Sequence, residues 1–360
     1  MNEFYIGVMS GTSLDGVDVV LCEINSAKCT LVSSLEYPFD KELKEEILEL
    51  ISGTATVEQI GILDNKLGNL FADAINSFIK KEKIDTDKVT AIGLHGQTLW
   101  HKPEGKNRFS MQLGDANIVA AKTDIQVVTD FRRMDMANGG QGAPFAPAFH
   151  QFVFSGLGQH VAVLNIGGMA NITLLGENLQ GWDTGTGNVL MDSWIQNSQN
   201  KPYDKDGEFA KKGKADESLL NSFLNDEYFK KAPPKSTGRE YFNDSWLSQH
   251  LPIFQTIKDE DIQRTLLELT AQSIANDVKK TATDLLIVCG GGAKNNFLMS
   301  RLKELCNIEV KKSDDYGVSS EFMEAMAFAW LAYKRIHREK VNLCSVTGAD
   351  KDSILGGIYG

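Results

Sequence analysis

Cysteine is scarce in this sequence, and cationic residues are outnumbered. The five cysteines (Cys22, Cys29, Cys289, Cys306 and Cys344) are odd in number and show neither a C-x-x-C pair nor another metal-ligand spacing. That pattern argues against a disulfide scaffold and predicts free thiols in a reducing cytoplasm, three of them in apolar surroundings. The 37 Lys and Arg residues face 48 Asp and Glu, a formal net charge of −11. An acidic chain is a poor partner for nucleic acid or an anionic membrane, and a phosphorylated ligand then needs local positive groups and a metal. No apolar run approaches the length of a membrane span, and the N-terminus lacks the charged-then-apolar pattern of a signal peptide. There is no period of about 20–50 residues that would announce a solenoid. The Walker A spacing and G-x-G-x-x-G are missing too, which disfavours a P-loop enzyme. What is present is a 42% hydrophobic and 24% charged composition over 360 residues, that of a soluble globular protein with room for two domains.

The chain is organised around MSGTSLDGVD, Met9 to Asp18. Apolar runs flank it (Phe4 to Val8 and Val17 to Cys22), so strand, tight polar turn, strand is the economical reading. Glycine leaves no Cβ in a ligand's way, successive turn N–H groups form a nest for phosphate oxygens, and a carboxylate can hold the accompanying Mg²⁺. An ordinary hairpin turn is the alternative. A second copy favours the functional reading: VAVLNIGGMANITLL, Val161 to Leu175, again runs a strand through a Gly-containing turn (Gly167, Gly168) into another strand. Two such hairpins half a chain apart predict a duplicated architecture facing one ligand.

Helical spacing predicts helices over Lys41 to Ser52 and Val57 to Lys81. The strand Val89 to Gly93 ends in HGQTLWHKP, the kind of polar cluster with Gly and His that open α/β sheets present to ligands; a turn-capping His95 is the plainer reading. Asp115 opens a helix as its N-cap or as a ligand contact. VVTDFRRMDMANGGQGAPFAP, Val127 to Pro147, is Gly- and Pro-rich and marks a candidate interdomain crossing. Its Arg132 suits a substrate carboxylate through bidentate bonds, or else pairs with Asp130 or Asp135. GWDTGTGN places Asp183 beside Trp182 and glycines ahead of a helix (Val189 to Gln196), as a catalytic carboxylate or a turn residue. Lys235, Ser236, Thr237 and Arg239 form a phosphate-facing loop or a solvated linker. A long helix (Glu260 to Lys280) leads into the strand Leu285 to Cys289 and GGGAKNN. Val318 to Ile336 reads as a core helix with Glu321 and Glu324 on one face.

Two Gly-rich hairpins and a late strand–GGG–helix resemble the phosphate-1, phosphate-2 and adenosine elements of the sugar kinase, heat-shock ATPase and actin superfamily. Within it the chain resembles the bacterial anhydro-N-acetylmuramic acid kinase family. The carrying residues are GVMSGTSLDGVD, HGQTLWHKP, FRRMDMANGGQGAP, NIGGMANIT, WDTGTGN, YDKDGEFA, PPKSTGREYFN, GGGAKN and EAMAFAWLA, in the family's order over essentially the whole length. One departure is Thr186, where the family often has Pro; it alters loop stiffness more than chemistry.

The resemblance implies an α/β, two-domain actin-like ATPase fold with duplicated mixed β-sheet and helices and nucleotide in the interdomain cleft. The expected domains are 1–131 plus 343–360 and 132–342. It implies that ATP, water and 1,6-anhydro-N-acetylmuramic acid give N-acetylmuramic acid 6-phosphate and ADP in peptidoglycan recycling, in the cytoplasm, by a homodimer. Asp183 is then the base that activates water, typically worth about 10²- to 10⁴-fold. Gly11, Thr12, Ser13, Leu14, Asp15, Gly16, Val17 and Asp18 hold the ATP phosphates, with Asp15 on Mg²⁺. Gly167 and Gly168 support the phosphates, and Gly290, Gly291, Gly292 and Asn295 the adenosine. Arg132 takes the lactyl carboxylate, Glu324 the sugar's polar groups, and His95 and Gln97 complete the sugar site. Without the resemblance, a conventional hexosamine kinase uses the same base on a sugar hydroxyl. A sugar-sensing regulator on this fold lacks support, because no helix-turn-helix precedes Phe4, and a chaperone or filament protein would need partner-binding extensions not evident here.

Overall fold

The computed structural model describes residues 2–11, 14, 16–158, 160–176, 179–251 and 256–360. It divides into two units, Met1–Val153 with Phe322–Gly360, and Phe154–Glu321. The first begins with a meander of β1 (Glu3–Ser10), β2 (Gly16–Ile24) and β3 (Cys29–Pro38). Helices α1 (Lys41–Ser52) and α2 (Val57–Glu82) lead to β4 (Val89–Leu94), the small hairpin β5 (Gln97–Lys102) and β6 (Phe109–Leu113), α3 (Ala116–Thr123), β7 (Val127–Thr129), α4 (Phe131–Ala137) and α5 (Ala146–Phe154). Helix α2 is set by local signals. Thr56 and Gln59 form a capping box, Lys83 closes the helix in the left-handed conformation, and Leu63, Leu67, Phe71, Ile75 and Phe78 form a buried stripe at three- and four-residue spacing.

The second unit repeats the opening. Its meander is β8 (Val161–Ile166), β9 (Met169–Leu174) and β10 (Gln180–Thr186), followed by α6 (Val189–Gln199), α7 (Glu217–Leu224), α8 (Glu227–Lys230), α9 (Asp244–His250) and α10 (Asp259–Val278). Strand β11 (Leu285–Cys289), α11 (Asn296–Cys306) and β12 (Glu309–Lys312) complete it. The chain then returns to the first unit as α12 (Met323–Ile336), α13 (Cys344–Thr347) and β13 (Gly357–Tyr359).

The two sheets have one plan. In the first the order is β13-β7-β4-β1-β2-β3, and in the second β10-β9-β8-β11-β12. Each has an antiparallel meander whose first strand is central, with two parallel strands continuing from that strand's other side. The expected duplication is therefore present in the topology, with β13 added antiparallel to β7. Central strands such as β1 and β11 read as unbroken apolar runs because both their faces are covered.

Helix α12 lies on β1 and β4 at two glycines. A Cβ on Gly7 would stand 2.0 Å from the Ala325 carbonyl oxygen, and one on Gly93 2.0 Å from that of Phe328. Only glycine permits this approach, and α12 answers with Ala325, Ala329 and Ala332.

Two expectations need correction. The units meet at Val153/Phe154 and Glu321/Phe322 instead of at 131/132 and 342/343. The Gly- and Pro-rich stretch is no crossing, because Asp135 ties it to the first unit: it accepts from Gly142 N (2.7 Å) and from Thr347 Oγ1 (2.8 Å). The helix expected from Val318 starts at Met323, since Ser313–Tyr316 forms a 3-10 turn closed by Gly317 at φ 75°. Glu321 and Glu324 thus share no helix face; Glu321 pairs with Lys294. The described cysteines are free, four of them buried. No helix among the described residues is long and apolar enough to cross a membrane.

Candidate active site

In the first unit, polar residues gather where the parallel strands β1, β4 and β7 end. Ser10 closes β1, His95 follows β4, Gln97 opens β5, and Arg132 stands in the first turn after β7. Asp130 makes this last turn possible by taking the left-handed conformation at φ 59°. Arg132 Nη2 donates to His95 Nε2 (2.8 Å), and Nη1 donates to the Gly142 carbonyl (2.7 Å). Its guanidinium lies 5.0 Å from the centre of the Phe145 ring. A guanidinium has only donors, so His95 Nε2 accepts and the ring hydrogen sits on Nδ1. Ser10 Oγ donates to Gln97 Oε1.

The open question over Arg132 resolves against both aspartates: Asp130 is 3.5 Å from Arg133 Nε, and Asp135 serves Gly142 and Thr347. Arg132 Nε has no partner among the described residues. Burial pulls Arg132 down to about 10, and the nearby charge of Glu324, in the first turn of α12, works against that. Protein around the Glu324 carboxyl raises its pKa and Arg132 lowers it, although the side chain stays open to solvent. His95, Arg132 and Glu324 therefore form one electrostatic group, with Gln97 beside it.

Burial, aided by Arg132, pushes His95 down to about 3, and burial does the same to His150. Between about pH 3 and 6.5 the unfolded chain binds these protons and the folded chain does not. Folding stability therefore rises with pH across that window and falls on acidification, by about 1.4 kcal/mol per pH unit for each histidine. Two histidines whose imidazole resonances stay still between about pH 8 and 5 are the expected NMR result; titration of all six near 6.5 would refute it.

In the second unit, Asp183 sits at a bulge of β10, where the register with β9 shifts between Asp183 and Gly185. Its Oδ2 accepts from Thr237 N (2.9 Å) and Ser236 Oγ (3.1 Å). Its backbone is fixed as well: Asp183 N donates to the Lys235 carbonyl (3.0 Å), and Tyr228 Oη donates to the Asp183 carbonyl (2.7 Å). Desolvation raises the Asp183 pKa, the Thr237 and Ser236 bonds and Lys235 oppose it, and Glu240 adds to it. The carboxylate is half-buried, positioned and made more basic.

The Gly167–Gly168 turn is bolted to the start of α6. Gly168 O accepts from Gly187 N (2.9 Å) and Val189 N (3.1 Å), and Gly167 O accepts from Asn188 N (2.8 Å). A Cβ on Gly168 would be 3.5 Å from the Arg239 guanidinium, so a cation stands over this turn. Arg239 also faces Asp192, which burial lifts to about 7 against Arg239's pull and with Asp204's help. Past β11, Gly290 and Gly292 are packing requirements, with Cβ positions 2.3 Å from Asn165 Oδ1 and Ile166 Cγ2. Gly291 is open, its nearest neighbour being Asn188 Nδ2 at 3.8 Å. Asn295 Oδ1 is engaged as the N-cap of α11, accepting from Leu298 N (3.0 Å).

The first Gly-rich turn lies partly beyond view. Thr12, Ser13 and Asp15 are outside the described residues. Gly11 O accepts from Leu14 N (3.3 Å), Gly16 opens β2, and Asp18 pairs with Met9 inside the hairpin. Leu14 and Val17 bury their side chains in the core, so only their backbones are free to meet a ligand. Among the described residues no three carboxylate, His or Cys groups gather as a metal site.

Sequence reasoning missed three groups around Asp183 and the Gly turn: Tyr228, Asp277 and Asp192. It also misread Lys235, which is buried on Asp277 rather than turned to phosphate. Asp277 and Asp192 lie inside helices, where sequence alone reads an aspartate as solvated; the contacts come from other elements of the fold.

The sequence pattern described as "Anhydro-N-acetylmuramic acid kinase" matches residues 3–360. Proteins named anhydro-N-acetylmuramic acid kinase from Sulfurimonas denitrificans and Vibrio vulnificus (strain CMCP6) are 59% and 49% identical. The first match covers 100% of both chains, the second 99% of this chain and 98% of the relative. Among solved structures, component A of (R)-2-hydroxyglutaryl-CoA dehydratase from Acidaminococcus fermentans is 13% identical with a TM-score of 0.50, over 93% of this chain and 99% of that one. That likeness and the duplicated mixed sheets identify the two-domain actin-like fold. On the full-length match and these identities, the chain belongs to the anhydro-N-acetylmuramic acid kinase family.

Proposed function

We infer that this chain is an ATP-dependent kinase that hydrolytically opens 1,6-anhydro-N-acetylmuramic acid and phosphorylates it. The products are N-acetylmuramic acid 6-phosphate and ADP, and the setting is peptidoglycan recycling. The observation that carries the mechanism is Asp183. Among the described residues the hydrogen bonds from Ser236 and Thr237 both go to Oδ2 of its carboxylate, which leaves Oδ1 to take a proton from water, and desolvation makes it a better base.

The anhydro bridge is an internal glycoside whose leaving group is the sugar's own O6. Ordinary inverting hydrolysis needs a base for water and an acid for the leaving oxygen. Here water attacks the anomeric carbon and gives its proton to Asp183 Oδ1. The bond from that carbon to O6 breaks, O6 bonds to the γ-phosphorus, and ADP leaves. Phosphoryl capture of O6 takes the place of the acid, so one carboxylate suffices.

The Gly11–Asp18 hairpin is assigned to the ATP phosphates, and Gly167, Gly168 and Arg239, a turn and a positive charge, are assigned to phosphate as well. Gly291 and Asn295 are assigned to the adenosine side, Gly290 and Gly292 acting through the shape of the turn. Magnesium supplies charge neutralisation on the phosphates. It usually takes only one or two protein carboxylates beside phosphates and water, and Asp15 is assigned to it. Arg132 is assigned to the lactyl carboxylate, and Glu324, His95 and Gln97 to the sugar's polar groups. The family resemblance supports a cytoplasmic homodimer.

The test is incubation with ATP, Mg²⁺ and the anhydro sugar in ¹⁸O-water, sampled early because the free anomeric oxygen exchanges. One ¹⁸O at the anomeric carbon with a 6-phosphate is expected. Phosphorylation of the ring-opened sugar alone would leave a conventional hexosamine kinase. Arg132→Ala and Glu324→Ala are expected to raise KM for the sugar by about tenfold or more, as loss of a charge-assisted contact does, with KM for ATP nearly unchanged. Equal effects on both substrates would remove these two residues from the sugar site.

A further inference from the structure

Behind Asp183 lies a buried ion pair that the reaction does not touch. Lys235 is 2% exposed at its side chain, and its Nζ is 3.0 Å from Oδ2 of Asp277, itself 3% exposed. The same Oδ2 accepts from Trp182 Nε1 (2.9 Å), while Oδ1 accepts from Lys280 Nζ (3.0 Å). Lys235 Nζ also lies 5.2 Å from the centre of the Tyr228 ring. Trp182 precedes Asp183 in β10, and Lys235 precedes Ser236 and Thr237, the two residues that hold the Asp183 carboxylate. Two chain segments that meet at one carboxylate are thus joined a second time, one residue earlier on each, through Asp277 of α10.

Buried ion pairs of this kind are weak sources of stability, because the desolvation of both charges offsets their attraction. Their presence here calls for another role. We propose that Lys235, locked on Asp277, is a positioning residue for Asp183: it fixes the Ser236–Thr237 turn against β10, so that the carboxylate presents Oδ1 in one orientation. The proposal rests on Asp183 being the base.

Lys235 also acts through its charge. The groups facing Asp183 are Lys235 and Glu240 from the same loop and Tyr228 from α8. Asp277 stands behind Lys235, and the β9 residue opposite is the uncharged Asn171. Lys235 lowers the Asp183 pKa and Glu240 raises it. Removal of the Lys235 charge therefore moves the acid limb of the kcat profile to higher pH.

The experiment compares wild type, Lys235→Met and the double variant Lys235→Met/Asp277→Asn with the anhydro sugar and ATP across pH, alongside thermal melts. The amide oxygen introduced by Asp277→Asn would still accept from Trp182, and the double variant leaves no lone buried charge, so it decides the matter if the single variant fails to fold. Both variants are expected to lose about 10- to 100-fold in kcat, as loss of a supporting shell does, with KM for ATP within about twofold. The acid limb of the single variant is expected to move up. Wild-type kcat in both variants, a single-variant acid limb that stays in place, or loss of folding in the double variant each overturns the proposal, the last because the pair would then be needed for the fold itself. A wild-type protein that does not open the anhydro sugar would fail the functional reading instead.

Discussion

Asp183→Asn is expected to lower turnover of the anhydro sugar by about 10²- to 10⁴-fold, the span that loss of a general base usually costs. The substitution is nearly isosteric. The Asn carbonyl oxygen can still accept from Thr237 N and Ser236 Oγ, and the backbone bonds to Lys235 and Tyr228 do not involve the side chain. Only basicity is removed.

Stability separates this from damage to the fold. Desolvation raises the pKa of Asp183 in the folded chain. For a carboxyl shifted that way the folded state binds the extra proton, so its contribution favours folding at low pH and declines as pH rises through the two pKa values. At neutral pH the ionised group is a liability that Asn lacks. The variant is therefore expected to melt at or above the wild-type temperature while nearly inactive. Turnover within about threefold of wild type, measured on folded protein, would end the assignment of Asp183 as base.

Gly93→Ala is expected to be among the most damaging single-methyl changes for stability, with Gly7→Ala close behind. Each new Cβ would stand 2.0 Å from a backbone carbonyl oxygen of α12, and backbone does not step aside as a side-chain tip can. Either α12 lifts from β1 and β4, or the strands shift. Overpacking of a core costs about 1–3 kcal/mol and sometimes more; for contacts this short about 3 kcal/mol or more is expected, roughly a 10 °C fall in Tm. Gly61→Ala is the control. Gly61 lies on the exposed side of α2 with nothing within 4 Å of its Cβ position, so Ala there is expected to stabilise by about 0.5–1 kcal/mol. Equal melting temperatures for Gly93→Ala and wild type would show that α12 does not approach β4 so closely.

The elements that sequence reasoning recovers are those with local signals. The helix from Val57 carries its capping box and apolar stripe, Leu285–Cys289 is a β-branched and leucine run between polar flanks, and both Gly turns sit between apolar strands. Asp115 caps its helix as its position suggests. The start of α12 was not legible, because Val318–Phe322 (VSSEF) holds no Gly or Pro to separate it from the helical pattern that follows, while Gly317 and the turn before it end the preceding segment. The unit boundary was misplaced for a related reason. Gly and Pro mark the 139–147 loop, but what assigns it to the first unit is a buried hydrogen bond between Asp135 and Thr347, 212 residues apart. Around Asp183 the carboxylate itself was visible beside Trp182 and two glycines. Tyr228 and Asp277 were not, and Lys235 reads from sequence as phosphate-facing instead of buried on Asp277, since each reaches the site from a separate element and none has a spacing that relates it to the others.

The division of the chain also orders its synthesis. The second unit is one unbroken stretch, Phe154–Glu321, whereas the first needs Phe322–Gly360 to supply α12 and β13. On the ribosome the N-terminal meander emerges early but waits with its Gly7 and Gly93 surface uncovered until Phe322–Gly360 arrives. The later-made unit, being contiguous, completes its core before the earlier one, reversing the usual N-terminal-first sequence of domain folding. Loss of the C-terminal segment would accordingly strike the half of the protein made first, and a chain released at residue 321 would carry one finished unit and one exposed sheet.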